Sequence, residues 1–453
     1  MFQIGDNVLL TINDVTSEGE GVGKVEGFTV FVPKTVKGDV VKGKIISTKK
    51  TYARALLQEI IIPSENRVQP KCKIYDECGG CNLQHIEYQH QLEIKRKIVE
   101  DAICRIGGFN EIPVKHVLTA GSENYRNKMQ APVGFSDGRV IAGFYKPKSH
   151  EIVPTDNCII QHQKGNEILK KVVQIINQLK IQPYDEREGK GIIRHIMSRV
   201  GINTGQTMLV LVVTTTDFPQ KEGLVERIKK VLPDLTTLVF NINNKKTNVI
   251  LGTENVVSFG KGHIEEISQG IKFKISPLSF FQVNPKGMEV LYQRAVEYAG
   301  LTGKERVIDA YCGLGSISLF MAKKAKEVLG IEIVPQAVRD AKENAKLNNI
   351  DNVTFIEGKA EDVMVDLAKK GEKYDVVVVD PPRKGCEASL LAAIKEIAPQ
   401  RVVYVSCNPA TLARDLKILC EEGMYTIKEV QPVDMFPHTS HVECVVFMSR
   451  VEK

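Results

Sequence analysis

The chain contains no tryptophan, and aromatic residues make up only 6 % of its 453 positions. With 43 % hydrophobic and 26 % charged residues it is otherwise ordinary for a globular protein. No apolar run approaches 18 residues, so no membrane-spanning helix is expected. The first ten residues, MFQIGDNVLL, lack a basic n-region, and no secretory signal is expected either. Ten cysteines in such a chain then argue for a reducing, cytoplasmic setting, with metal or catalytic roles for thiols rather than disulfides. Two phosphate-binding signatures are also missing. There is no P-loop, and Ser318 stands where the dinucleotide fingerprint needs its third glycine.

The length predicts two to four domains. Residues 4–62 alternate apolar and polar in short runs broken by glycines. Strands near Asn7–Asn13, Gly23–Val32, Val40–Ser47 and Ala53–Ile62 would close a small β-barrel. Between Lys34 and Arg54 lie seven basic residues and one acid, Asp39, a local excess that suits a phosphate backbone.

Cys72, Cys78 and Cys81 fall within PKCKIYDECGGC, and Cys158 supplies a plausible fourth thiol. Four thiolates suit zinc or an iron–sulfur cluster, and the spacing leaves both open. Tyr88–Ile106 then reads as an amphipathic helix stopped by Gly107-Gly108. Residues 124–275 look α+β, with helices near Glu167–Leu179 and Glu222–Val231. Basic side chains there (Arg126, Lys128, Lys146, Arg194 and Arg199) recur beside polar or aromatic ones, a mixture that suits RNA.

From Ile275 onward the pattern becomes strict β/α alternation. A strand runs into Cys312-Gly313-Leu314-Gly315, and Glu332 follows about twenty residues later. That is the logic of an adenosine site, with a carboxylate for the ribose hydroxyls. Without a pyrophosphate-binding element, the cofactor expected is S-adenosylmethionine. Another strand ends in Asp380-Pro381-Pro382-Arg383. The run Val402–Val405 leads through Ser406-Cys407 into Asn408-Pro409, an N-cap and a proline that open a helix. Cys407 therefore sits at the ligand-binding edge of the sheet, where a helix N-terminus is expected to lower its thiol pKa.

Together Asp309-Ala310-Tyr311-Cys312-Gly313, Asp380-Pro381-Pro382-Arg383, Ser406-Cys407-Asn408-Pro409 and His441-Val442-Glu443 resemble the motifs of RNA uracil-5-methyltransferases. Phe280-Phe281-Gln282-Val283-Asn284 and the cysteine motif extend the resemblance to the iron–sulfur branch acting on 23S ribosomal RNA. That resemblance implies a multidomain α/β protein in three parts. Residues 1–62 form a TRAM-type barrel of OB-like topology that binds RNA. Residues 63–274 form a central α+β domain with a [4Fe–4S] cluster on Cys72, Cys78, Cys81 and Cys158. Residues 275–453 form a Rossmann-like methyltransferase domain, with 90–120 free to pack on it. It further implies Cys407 as nucleophile, Glu443 as general base, and Gln282, Tyr311, Glu332 and Asp380 around S-adenosylmethionine. The partner implied is 23S ribosomal RNA, with no membrane and a monomeric enzyme. Ser316 stands where some relatives have asparagine and is not assigned to the cofactor.

The chemistry accounts for these residue types. Uracil C5 is a weak nucleophile until a thiolate adds to C6, and a base must later remove the C5 proton. The target nucleotide must also leave its stack, and Phe280 or Phe281 could stack on it or belong to the core. Cytosine-5 enzymes of the two-cysteine type carry a thiol where Arg383 follows Pro382, and adenine amino-methyltransferases carry an aromatic there. A transfer-RNA uracil methylase is the nearer alternative, although the barrel and cysteine motif are not expected of it. A non-catalytic iron–sulfur ribosome-assembly factor is the rival from another class, and an intact Cys407, Glu443 and Glu332 speak against it.

Overall fold

A computed structural model describes residues 2–451. Its first five strands are β1 (Asn7–Val15), β2 (Glu20–Val25), β3 (Phe28–Pro33), β4 (Val40–Thr48) and β5 (Tyr52–Ile62). They close a barrel in the order β1-β2-β3-β5-β4. Alternate side chains point inward, so Val30, Val32, Val41 and Ile45 are fully buried. The single strand expected over Gly23–Val32 is a hairpin. Glu26 and Gly27 take φ of +52° and +82°, the paired left-handed conformations that reverse a chain within two residues. The basic patch is thinner than its composition suggests, because Arg54 pairs with Glu20 and Lys34 with Asp76. Lys37, Lys42, Lys44, Lys49 and Lys50 remain exposed.

A long loop carrying the first three cysteines leads to α1 (Tyr88–Arg105), capped by the Glu87 carboxylate, which accepts from His90 N–H. Ile94 of α1 packs with Val15, Val36, Leu83 and Ile86 on the barrel side. Val99 and Ile103 enter the core of the C-terminal sheet instead. After β6 (Leu118–Thr119) come β7 (Lys128–Ser136), β8 (Arg139–Tyr145), β9 (Ile152–Pro154), α2 (Gln163–Gln178), β10 (Ile193–Val200), β11 (Thr207–Val213), α3 (Lys221–Val231), β12 (Thr237–Ile242) and β13 (Glu254–Phe259). The seven-stranded sheet runs β13-β12-β11-β10-β7-β8-β9. Helices α2 and α3 cover one face; Met197, Met208, Val210 and Val239 on the other share a core with the catalytic half. Burial on both faces removes Arg194, His195 and Arg199 from any RNA surface, at 5 %, 6 % and 1 % exposure.

The hairpin β14 (Ile264–Ser268) and β15 (Ile271–Ile275) precedes α4 (Pro285–Ala299). Then alternate β16 (Arg306–Ala310), α5 (Ser316–Ala322), β17 (Glu327–Glu332), α6 (Pro335–Leu347), β18 (Val353–Glu357), α7 (Ala360–Lys369), β19 (Val376–Val379), α8 (Ala388–Ile397), β20 (Arg401–Ser406), α9 (Pro409–Cys420), β21 (Tyr425–Asp434) and β22 (Glu443–Arg450). The sheet order is β18-β17-β16-β19-β20-β22-β21-β6. The first five strands are parallel; β19 and β20 are buried on both faces and read as nearly unbroken apolar runs, whereas the edge strand β18 leaves Thr354 and Glu357 exposed. Strand order reverses between β16 and β19, and a crevice forms outside the strand ends there. Among the described residues, no helix is long and apolar enough to cross a membrane.

Candidate active site

The carboxyl ends of β16, β17, β19 and β20, with the start of β22, surround one cavity of about 1080 Å³. It brings together Gln282, Tyr311, Glu332, Asp380, Cys407 and Glu443. Glu332 ends β17, and its carboxylate is fixed by two backbone donors. Gly313 N–H reaches Oε2 at 3.0 Å and Val334 N–H reaches Oε1 at 2.8 Å. Tyr311 takes φ +151°, a region rarely adopted by residues other than glycine, and donates its hydroxyl to Glu361 Oε1 at 2.9 Å. Such strain persists where surrounding structure enforces it. Behind the cavity, burial and the neighbouring Asp380 push the Asp309 carboxyl up to about 7, although Ser318 Oγ donates to it at 2.6 Å.

Cys407 lies between β20 and α9. Asn408 Oδ1 accepts Ala410 N–H at 3.0 Å and Pro409 opens the helix, as the Asn-Pro pair predicts. Asn408 Nδ2 and Thr411 Oγ1 both donate to Arg383 O, tying this turn to the loop after β19. Antiparallel register places Ser406 opposite Cys444, so Cys407 and Glu443 stand on adjacent strand ends. The expected depression of the Cys407 pKa is overturned. Burial, then the carboxylates of Glu443 and Asp380, push the thiol up to about 11, against the pull of Arg383. Burial and Asp380 likewise raise Glu443 to about 8, and burial raises Asp380 to about 6. The helix N-terminus is outweighed because two carboxylates share a poorly solvated cavity with the thiol.

The two phenylalanines divide. Phe281 is 2 % exposed and packs 5.5 Å from Phe273, so it is core, whereas Phe280 is 73 % exposed at the cavity wall. Glu361, Lys359 and Phe436 also line the cavity and were not anticipated. The first two follow the end of β18, a position that could have been read from the β/α alternation. Phe436 has no such signal.

Cys72, Cys78, Cys81 and Cys158 face a second cavity of about 300 Å³, beside Arg126 and Lys128. Gly79 is required there, since a Cβ would lie 3.0 Å from Tyr145 O, and Gly79 N–H donates to that same oxygen at 2.9 Å. Burial raises Cys81 to about 12 and Cys158 to about 11, and the other thiols of the quartet add to both shifts. Among the described residues, no three histidine, cysteine or acidic side chains converge closely enough to chelate a single metal ion. Four thiols on one cavity wall with two cationic side chains beside them are a donor set that suits a metal–sulfur group. Of the remaining cysteines, Cys312, Cys386 and Cys444 are buried, Cys420 is half-buried and Cys104 is exposed.

Residues 226–451 match the tRNA (uracil-5-)-methyltransferase family and residues 2–57 match the TRAM domain. The chain is 50 % identical over 443 residues to an uncharacterized RNA methyltransferase of Clostridium tetani, covering 97 % of this chain and 95 % of that one. It is 51 % identical over 446 residues to another from Listeria monocytogenes, covering 98 % and 97 %. The crystal structure of Pyrococcus abyssi tRNA (uracil-54, C5)-methyltransferase with S-adenosyl-L-homocysteine superposes with a TM-score of 0.80 at 28 % identity, covering 97 % of this chain and 100 % of that chain. That match spans the barrel, which removes the barrel as a mark against a transfer-RNA enzyme. The chain belongs to the S-adenosylmethionine-dependent RNA (uracil-5-)-methyltransferase family, with a TRAM domain at its amino terminus.

Proposed function

We propose that the chain methylates carbon 5 of one or two uridines in 23S ribosomal RNA, with Cys407 as nucleophile and Glu443 as base. The carrying observation is that these two residues occupy adjacent strand ends on the cavity that Gln282, Tyr311, Glu332 and Asp380 also line. Glu332 binds the ribose hydroxyls of the methyl donor, and Gln282, Tyr311 and Asp380 line its remaining surface. In the free enzyme the thiol is protonated. A sulfonium entering among Asp380, Glu443 and Cys407 offsets their mutual repulsion and favours the thiolate.

Cys407 Sγ then adds to C6, and the C5=C6 electrons move toward O4 as an enolate. C5 attacks the methyl carbon, breaking its bond to sulfur and leaving S-adenosylhomocysteine. Glu443 takes the C5 proton, the C5=C6 bond re-forms, and the thiolate departs. Phe280 stacks on a nucleotide at the mouth.

The cysteine motif favours ribosomal RNA, through its resemblance to the iron–sulfur branch, with a [4Fe–4S] cluster on Cys72, Cys78, Cys81 and Cys158. Bound, such a cluster supplies a multi-iron anchor for the loop, and Arg126 and Lys128 offset its negative charge. In this reading residues 1–62 bind RNA, 63–274 carry the cluster, 275–453 perform the chemistry, and the protein acts as a cytoplasmic monomer. The Pyrococcus match favours a second reading, transfer RNA as substrate.

The test has two parts. Mapping 5-methyluridine in ribosomal and transfer RNA from cells with and without the enzyme identifies the substrate. Cys407→Ala should bind RNA and donor yet form neither adduct nor product. Glu443→Gln should stall with methylated uracil bonded to Cys407, visible as an RNA–protein band that survives denaturing electrophoresis. Rapid turnover by Glu443→Gln would overturn the base assignment.

A further inference from the structure

The cysteine loop touches the turn that precedes Glu443 through Asn82 and the backbone of Leu83. Asn82 directly follows Cys81, and its backbone N–H and that of Leu83 donate to His438 O at 3.1 and 3.0 Å. Asn82 Oδ1 accepts Ser440 N–H at 2.9 Å. Its Nδ2 donates to Ser440 Oγ at 3.2 Å and to Glu18 O of the barrel at 2.8 Å. Other carbonyls of this turn, residues 435–442, are held from elsewhere. Met435 O accepts from Asn284, Phe436 O from Lys95 and Pro437 O from Tyr125. Within this frame His438 adopts φ +67°, a left-handed conformation that unconstrained histidine seldom keeps. Phe436 lines the active-site cavity, and the turn delivers Glu443 as the first residue of β22.

We propose that Asn82 is a positioning residue for the removal of the C5 proton. It fixes the turn so that Phe436 and Glu443 face the flipped base, and it ties that step to the cysteine loop and the barrel. The inference rests on Glu443 being the base. Addition and methyl transfer depend on Cys407 and the donor pocket, on elements Asn82 does not touch. Loss of Asn82 therefore selects one half of the reaction.

The full-length enzyme is assayed as wild type, Asn82→Ala, Asn82→Asp and Glu443→Gln. Asn82→Ala should lower kcat about ten-fold, with donor Kd and RNA KM unchanged to within about two-fold. It should accumulate the methylated covalent adduct, as Glu443→Gln does. Asn82→Asp keeps an acceptor for Ser440 N–H while losing both Nδ2 bonds, so it should recover much of the rate. Its smaller adduct accumulation carries the test if Asn82→Ala does not fold. Amide exchange across 436–441 should quicken in either variant. Wild-type kcat, or a lowered kcat without adduct, would overturn the proposal. If Glu443→Gln traps nothing, the base assignment falls. Unchanged exchange across 436–441 would separately overturn the clamp.

Discussion

Gly313 donates its backbone N–H to Glu332 Oε2 at 3.0 Å, so the acid at the end of β17 also holds the loop that follows β16. Glu332→Ala should weaken S-adenosylmethionine binding by about 2 kcal/mol, because the ribose hydroxyls lose their acceptor and the loop loosens. Glu332→Gln keeps acceptor capacity toward Gly313 and should lose less. Calorimetry giving equal affinities for all three proteins would mean that another acid holds the ribose.

Much of this site is legible in sequence because parallel strands announce themselves. Val376–Val379 and Val402–Val405 are all valine but for Tyr404 and buried on both faces, and ligands gather where such strands end. Asn408-Pro409 marks the Cys407 turn by local chemistry alone. What stayed hidden depends on residues distant in the chain. The charge state of Cys407 is set by Asp380 and Glu443, which arrive on other strands. The edge strand β13 is mostly exposed and carries little apolar alternation. No local pattern could reveal that Asn82 grips a turn more than three hundred residues away.

Lys95 and Asp434 form an ion pair with both side chains fully buried, joining α1 to the end of β21. Lys95→Met strands the carboxylate and should cost about 3–5 kcal/mol of stability in urea unfolding. Adding Asp434→Leu should restore most of it. A double variant no more stable than Lys95→Met would mean the pair is not the source of the loss.

The thiol quartet predicts iron. Protein purified without oxygen should be brown and hold about four irons per chain. Cys78→Ser should lose them while retaining donor binding, because the adenosine pocket draws on none of these residues. Colourless protein with one zinc would reject the cluster.

Five exposed lysines remain in the Lys34–Arg54 stretch of the barrel once Arg54 and Lys34 are paired. Neutralising Lys42, Lys44, Lys49 and Lys50 should weaken RNA binding and flatten its salt dependence. For every phosphate that a lysine no longer neutralises, the slope of log K against log salt should fall by about 0.7–0.9. An unaltered slope would assign these lysines to solvent.

Burial lifts the Glu443 carboxyl from its usual 4.5 to about 8, with Asp380 adding to the rise. Between those values the folded protein holds a proton that the unfolded chain releases. The stability contributed by protonated Glu443 is therefore complete below about pH 4.5 and is lost as pH rises through about 8. Glu443→Gln mimics the protonated side chain and does not titrate. The melting temperature of this variant should pull ahead of wild type as pH rises across that window, and the gap should level off above it. Saturating S-adenosylmethionine should shrink the gap, because its sulfonium favours the carboxylate beside Asp380. A gap independent of pH would show that Glu443 is already ionised in the free enzyme, and that its basicity is not held back by the carboxylates around it.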